Sequence, residues 1–358
     1  MNRIYNFSPG PAALPVPVLE EAARGVLEFG GSGMSVLEVS HRGKQFEAIH
    51  QDAKSRLLRI MGLESSDYTV IFLGGGASLQ FHMLPLNYAQ GATAAYADTG
   101  HWSVRAIEEA SRLCDVAVVA SGEASGYTAI PAITGPLEGA RYLHITSNNT
   151  IEGTEWPAPP DSGDVALVAD ASSDFLARAE DYSRYSLLYA GAQKNLGPAG
   201  VTVVVARRAF IADAADGLPA MLSYRTHEKH DSLYNTPPVF GVYVVCLVLG
   251  WIEAQGGLPA IEAENRAKAG AVYDALDAHP DVYEAPVQRR AHRSLMNVTF
   301  RLRDASREAE FLVGAEQRGM DGLKGHRSVG GFRASIYNAF PREGAMALAD
   351  YLGRFARR

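Results

Sequence analysis

Cysteine is nearly absent: Cys114 and Cys246 are the two in 358 residues. They lie far apart, and neither has a partner at metal-ligand spacing. No disulfide framework beyond a single bridge can form, no metal is expected, and the usage fits a reducing cytoplasm. Positive charge is not in excess either. Lys and Arg total 33 against 40 Asp and Glu, a net charge of −7, so nucleic acid is not an expected partner. Long hydrophobic runs are missing too. The longest, residues 239–252, is too short to span a bilayer and contains glycines, so it reads as a buried helix and no membrane is expected. The first seven residues carry no apolar signal region. What remains is 47% hydrophobic and 20% charged, the balance of a soluble cytoplasmic protein long enough for two domains.

Apolar runs and helical spacings alternate along most of the chain. Residues 7–15 hold three prolines and read as an extended arm. Helical spacing follows over 16–29, and again to about Met61 behind Ser40, a candidate cap. Short strands are expected at 69–73, 92–98, 116–120, 142–146 and 165–170, with helices from Leu79 and over 101–113. The strand runs are continuously apolar rather than alternating, which points to a sheet covered on both faces. Beyond Leu249 the pattern changes to a long helix over 258–278 and a smaller α+β set. The expected organisation is an arm, 1–15, a large domain, 16–253, and a small C-terminal domain, 254–358.

One lysine stands apart. Ala190-Gly191-Ala192-Gln193-Lys194-Asn195-Leu196-Gly197 is a turn of small residues between two apolar runs. Desolvation lowers a lysine pKa and makes the amine a nucleophile, as a Schiff-base lysine requires. The turn alone would equally suit a solvated lysine. Gly74-Gly75-Gly76-Ala77-Ser78 links a strand to a helix, the layout of a phosphate cradle at a helix N-terminus. Leu79 breaks the dinucleotide fingerprint, and no Walker lysine follows. Trp102 falls at a helix start and Asp170 at a strand end. In open α/β sheets ligands gather at the carboxyl ends of strands, so these four features can converge. Pyridoxal 5′-phosphate needs each: an amine for its aldehyde, a carboxylate for its ring nitrogen, a phosphate cradle and an aromatic face.

Longer matches carry a resemblance. They are Phe7-Ser8-Pro9-Gly10-Pro11-Ala12, Glu38-Val39-Ser40-His41-Arg42-Gly43-Lys44, Tyr189-Ala190-Gly191-Ala192-Gln193-Lys194-Asn195, Asn235-Thr236-Pro237-Pro238, Lys324-Gly325-His326-Arg327 and Arg333-Ala334-Ser335-Ile336-Tyr337-Asn338-Ala339. With them the chain resembles, nearly end to end, the phosphoserine aminotransferase family, class-V members of the fold-type-I pyridoxal-phosphate enzymes. The resemblance implies an α/β fold with a mostly parallel seven-stranded sheet in the large domain. Lys194 would hold the cofactor covalently and shuttle the proton. Asp170 would face the ring nitrogen, Trp102 stack on the ring, and Thr150 bond the ring hydroxyl. Gly76, Ala77, Ser78 and Gln193 would hold the phosphate, and Asn235 and Thr236 the phosphate of a neighbouring subunit's cofactor. That implies a homodimer with shared sites. Ser8 and Arg333 would bind substrate, Arg333 through the α-carboxylate, with His41, Arg42, His326 and Arg327 around a distal anion.

The implied reaction moves the amino group of L-glutamate to 3-phosphohydroxypyruvate in serine biosynthesis. Some bacterial members also serve pyridoxine biosynthesis on 4-phosphohydroxy-L-threonine. Some members carry an arginine after Gly-Gly-Gly, where this chain has Ala77 and Ser78. Other chemistries on the same fold fit less well. A cysteine desulfurase needs a loop cysteine, and an alanine–glyoxylate aminotransferase needs no distal anion pocket.

Overall fold

In the computed structural model, which describes residues 3–357, seven strands form the central sheet. They are β1 (Tyr68–Leu73), β2 (Thr93–Asp98), β3 (Asp115–Ser121), β4 (Ala140–Thr146), β5 (Ala166–Asp170), β6 (Leu187–Gly191) and β7 (Thr202–Arg207). Their spatial order is β1-β7-β6-β5-β4-β2-β3. β7 runs antiparallel to both its neighbours, and the other pairings are parallel. β1 and β6 are buried along their whole length, because helices cover both faces of the sheet.

One face packs on helices Val16–Leu27, Lys44–Met61 and Val239–Ala254. The last of these is apolar nearly all round and sits in the core, with Val242, Val245, Leu249 and Ile252 at zero exposure. Among the described residues no single helix is long and apolar enough to cross a membrane. The opposite face packs on helices Gly76–Tyr88, His101–Ala110 and Tyr224–Lys229.

A second core gathers around a three-stranded antiparallel sheet of Tyr283–Glu284, Asn297–Leu302 and Phe332–Ser335. Helix Gly257–Asp277 joins the two cores: Leu258 and Ile261 belong to the first, Val272 and Leu276 to the second. The N-terminal arm is built into this second core. Tyr5–Asn6 pairs in parallel with Met320–Asp321, and Phe7 is fully buried there.

Element ends differ from the sequence reading by a few residues. The main correction concerns Ser40, which caps no helix. The helix begins at Lys44 behind Gly43, and the Ser40 hydroxyl instead accepts from the Arg42 N–H at 3.3 Å. His41 and Arg42 therefore sit in a turn ahead of the helix. Helix Gly76–Tyr88 starts three residues before Leu79, since Gly75, at φ +86°, turns the chain into it.

Candidate active site

The carboxyl ends of the parallel strands deliver the chemistry. β1 leads into Gly74-Gly75-Gly76, β2 into Trp102, β4 into Thr150, β5 ends at Asp170, and β6 leads into Lys194. Register explains the convergence. Asp170 pairs with Tyr189, and Gly191 with Thr202 across the β6–β7 turn, so Asp170 and the lysine turn lie at one level of the sheet.

Trp102, Thr150, Asp170, Gln193 and Lys194 line one cavity of about 140 Å³, together with Gly76, Ala77 and Ser78. Lys194 Nζ donates to Thr150 Oγ1 at 2.9 Å and lies 6.0 Å from the centroid of the Trp102 indole. Burial pushes the Lys194 amine down to about 8, with the Asp170 carboxylate pulling the other way. The arm lies against this turn. Ala12 N–H donates to the Gln193 carbonyl at 2.9 Å, and a Cβ on Gly10 would be 3.5 Å from Lys194 Cγ.

Asp170 is buried, and its Oδ1 accepts from the Ser172 N–H at 2.9 Å. Burial pushes its carboxyl up, against the Ser172 hydrogen bond and the Lys194 charge. Such a carboxylate lacks a full cationic partner, which a protonated ring nitrogen would supply. The first turn of helix Gly76–Tyr88 has N–H groups without intrahelical acceptors, suited to a phosphate. The indole Nε1 of Trp102 is buried without a partner among the described residues, so its ring is held by packing and not by a polar anchor. Amine, carboxylate, anion cradle and ring face are thus present together, and these residues fit pyridoxal 5′-phosphate.

A second cavity, of about 280 Å³, is lined by Arg333 and His326 with Tyr127, Glu152, Thr299 and Arg301. Arg333 is buried and donates through Nη1 to the Thr150 carbonyl at 3.2 Å. Burial lowers the His326 pKa, and the charges of Arg333, His101 and Arg327 lower it further. Both effects favour the neutral imidazole, and an arriving anion would favour the protonated form.

Other expected residues are not brought to these cavities within one chain. Asn235 and Thr236 are exposed, and Asn235 lines a separate apolar cleft with Phe72, Leu79 and Met221. Arg42 is exposed, and neither it nor His41 lines either cavity. Arg327 is an exposed neighbour of His326, and Ser8 sits on the arm, its N–H donating to Asn6 Oδ1 at 3.0 Å. Sequence reasoning missed Asn148, Ser172 and Ser173, which line the lysine cavity, and His101, whose ring lies 5.8 Å from that of His326. Their signal was contact across strands, which spacing does not carry.

The chain matches the aminotransferase class-V family over residues 4–348. It is 51% identical to the phosphoserine aminotransferase of Geobacillus kaustophilus (strain HTA426), covering 100% of this chain and 99% of that protein. Among solved structures, the phosphoserine aminotransferase from Bacillus circulans subsp. alkalophilus superposes with a TM-score of 0.96 at 49% identity, covering 100% of this chain and 99% of that one. A pyridoxal-phosphate-bound phosphoserine aminotransferase from Trichomonas vaginalis superposes with a TM-score of 0.92 at 37% identity, covering 98% and 99%.

Proposed function

Because the chain belongs to the class-V aminotransferase family, we propose that it carries out the reaction for which its near relatives are named. It transfers the amino group of L-glutamate to 3-phosphohydroxypyruvate, giving O-phospho-L-serine and 2-oxoglutarate in serine biosynthesis. Pyridoxal 5′-phosphate is its cofactor. One observation carries this reading: Thr150 takes Lys194 on its hydroxyl and Arg333 on its carbonyl. A single residue thereby sets a low-pKa amine beside a guanidinium fork for a carboxylate.

When bound, the cofactor supplies an electron sink for the pair released as the substrate Cα–H bond breaks. Asp170 would hold its ring nitrogen, Thr150 its ring hydroxyl, Trp102 its ring face, and Gly76, Ala77, Ser78 and Gln193 its phosphate. Arg333 fixes the substrate α-carboxylate and so turns Cα toward Lys194. Lys194 Nζ takes the proton from glutamate Cα and, in the second half-reaction, gives one to the Cα of the incoming oxo acid. Ser8, on the arm, would contact the substrate. His326 and Arg327 meet the distal anion, carboxylate in one half-reaction and phosphate in the other.

His41, Arg42, Asn235 and Thr236 lie outside the lysine and Arg333 cavities of their own chain, which supports a homodimer in which each copy lends them to its partner's site. A cytoplasmic location and the division into 1–15, 16–253 and 254–358 belong to the same reading. The cores around the seven-stranded and three-stranded sheets support the boundary near 254, with helix Gly257–Asp277 shared between them, while the arm places Phe7 in the second core. Purified protein assayed with O-phospho-L-serine and 2-oxoglutarate tests the activity. Turnover on glyoxylate exceeding that on 3-phosphohydroxypyruvate would refute it. Activity on 4-phosphohydroxy-L-threonine, measured alongside, decides whether the chain also serves pyridoxine biosynthesis.

A further inference from the structure

Glu152 has no part in the roles assigned above, yet its half-buried side chain reaches between three segments of the site. Its Oε1 accepts from the His101 N–H at 2.9 Å, at the first residue of helix His101–Ala110. Its carbonyl accepts from Thr299 Oγ1 at 3.0 Å. Two residues earlier in the same segment, Thr150 receives Lys194. A second tie lies alongside: Thr99 Oγ1 donates to Asn149 Oδ1 at 3.1 Å. The carboxylate is pressed against the turn that starts the helix. A Cβ on Gly100 would stand 2.6 Å from Glu152 Oε2, so a larger residue there would displace the carboxylate.

This is a costly way to cap a helix. Burial pushes the Glu152 carboxyl up, and Oε2 has no hydrogen-bond partner among the described residues. Gly100, at the cap position, is itself buried and has no side chain to accept from this end of the helix. A carboxylate reaching in from another segment does something a local cap cannot. It ties the helix start to the Thr150 segment, and Trp102 is the second residue of that helix. The indole has no polar anchor of its own. Its height over Lys194 is therefore set by the helix start, which Ser103 Oγ ties to the end of β2, accepting from the Thr99 and Gly100 N–H groups at 2.8 and 2.9 Å, and which Glu152 ties to the Thr150 segment.

We propose that Glu152 is a positioning residue for Trp102: its carboxylate locks the N-terminus of helix His101–Ala110 to the Thr150 segment and so fixes the indole against the cofactor ring. The proposal rests on the reading that Trp102 packs on that ring.

The test uses the holoenzyme of the full chain and two readouts besides turnover, the visible circular dichroism induced in the bound cofactor and the cofactor dissociation constant. Trp102→Phe serves as the control for the ring contact. Glu152→Ala is expected to reduce the dichroism as Trp102→Phe does, and to weaken cofactor binding about tenfold, the worth of one hydrogen bond to a charged group. Glu152→Gln keeps an acceptor of the same shape and is expected to restore both readouts, with binding within about threefold of the parent. Gly100→Ala keeps the carboxylate but displaces it, and is expected to reproduce Glu152→Ala. It carries the test if Glu152→Ala fails to fold.

A changed signal in Trp102→Phe with unchanged dichroism and binding in Glu152→Ala or Gly100→Ala would overturn the role of Glu152 alone. An unchanged signal in Trp102→Phe would overturn the ring contact itself, and the proposal with it. Loss of thermal stability in Glu152→Ala with the dichroism intact would reduce Glu152 to an ordinary helix cap and also overturn it.

Discussion

The backbone N–H of Asn338 donates to Asn195 Oδ1 at 3.0 Å, tying the C-terminal core to the residue that follows Lys194. Asn338 is held in turn from helix Gly257–Asp277. Asn265 Nδ2 donates to Asn338 Oδ1 at 2.8 Å, and Lys268 Nζ donates to the carbonyls of Tyr337 at 2.6 Å and Phe340 at 3.1 Å. The lysine turn is thus braced from outside its own sheet, by a fully buried ammonium.

That ammonium gives a stability prediction. Lys268→Met leaves backbone carbonyls without donors and is expected to cost about 3 kcal/mol in denaturant unfolding. The pH dependence has a definite sign. Burial pushes Lys268 down to about 7, below its value in the unfolded chain. Between those two values the unfolded state binds the extra proton, so this residue's contribution rises with pH and is lost as pH falls through about 7. The deficit of Lys268→Met should therefore widen from pH 7 to pH 9. A deficit that stays constant or narrows would show that Lys268 keeps its proton throughout.

The Lys194 amine supplies the second prediction. Its value of about 8 means that cofactor attachment to the apo chain, followed by visible absorbance, should speed up as pH rises through 8 and level off above it. Thr150→Val removes the acceptor that favours the ammonium, so the midpoint should fall by about one unit, the equivalent of one such hydrogen bond. Lys194→Ala should give no covalent attachment and lose at least about 10³-fold in turnover.

His326 yields the third. Burial and neighbouring cations lower its pKa, and a bound phosphate dianion would favour its protonated form. Phosphohydroxypyruvate binding should then take up a proton, measurable by titration calorimetry in buffers of different ionisation enthalpy. Its KM should climb from pH 6 to 8. His326→Asn should flatten that rise and raise KM for the phosphorylated substrate about tenfold at pH 6, with less effect on glutamate.

The residues that were legible from the sequence share a property. Lys194, Asp170 and the Gly74-Gly75-Gly76 turn each follow a strand, and strand ends can be read from apolar runs. The direction of β7 could not be read, because Val201-Thr202-Val203-Val204-Val205 is equally apolar whichever way it runs. Ser40 was misread because a hydroxyl ahead of an apolar run suits a cap and an isolated turn alike. Glu152 and His101 went unnoticed since their partners, Gly100 and His326, are brought to them by the sheet and not by spacing. The place of Phe7 in the C-terminal core depends on pairing with Met320–Asp321, more than three hundred residues downstream.

The last prediction concerns His41 and Arg42, which one chain leaves away from its own Lys194 cavity. If each copy lends these residues to the other's site, Arg42→Ala and Lys194→Ala damage different chains of the same site. Each homodimer is then inactive. In a hybrid of the two, one site carries both defects and the other carries none. Random reassortment makes half of the dimers hybrids with one intact site of two, so about a quarter of the parental activity should return. If His41 and Arg42 instead folded over their own chain's lysine, every subunit of the hybrid would carry one lesion in its own site and nothing would return. Mixing the two variants under conditions that exchange subunits, then assaying with 3-phosphohydroxypyruvate and glutamate, separates the two arrangements without any knowledge of the interface.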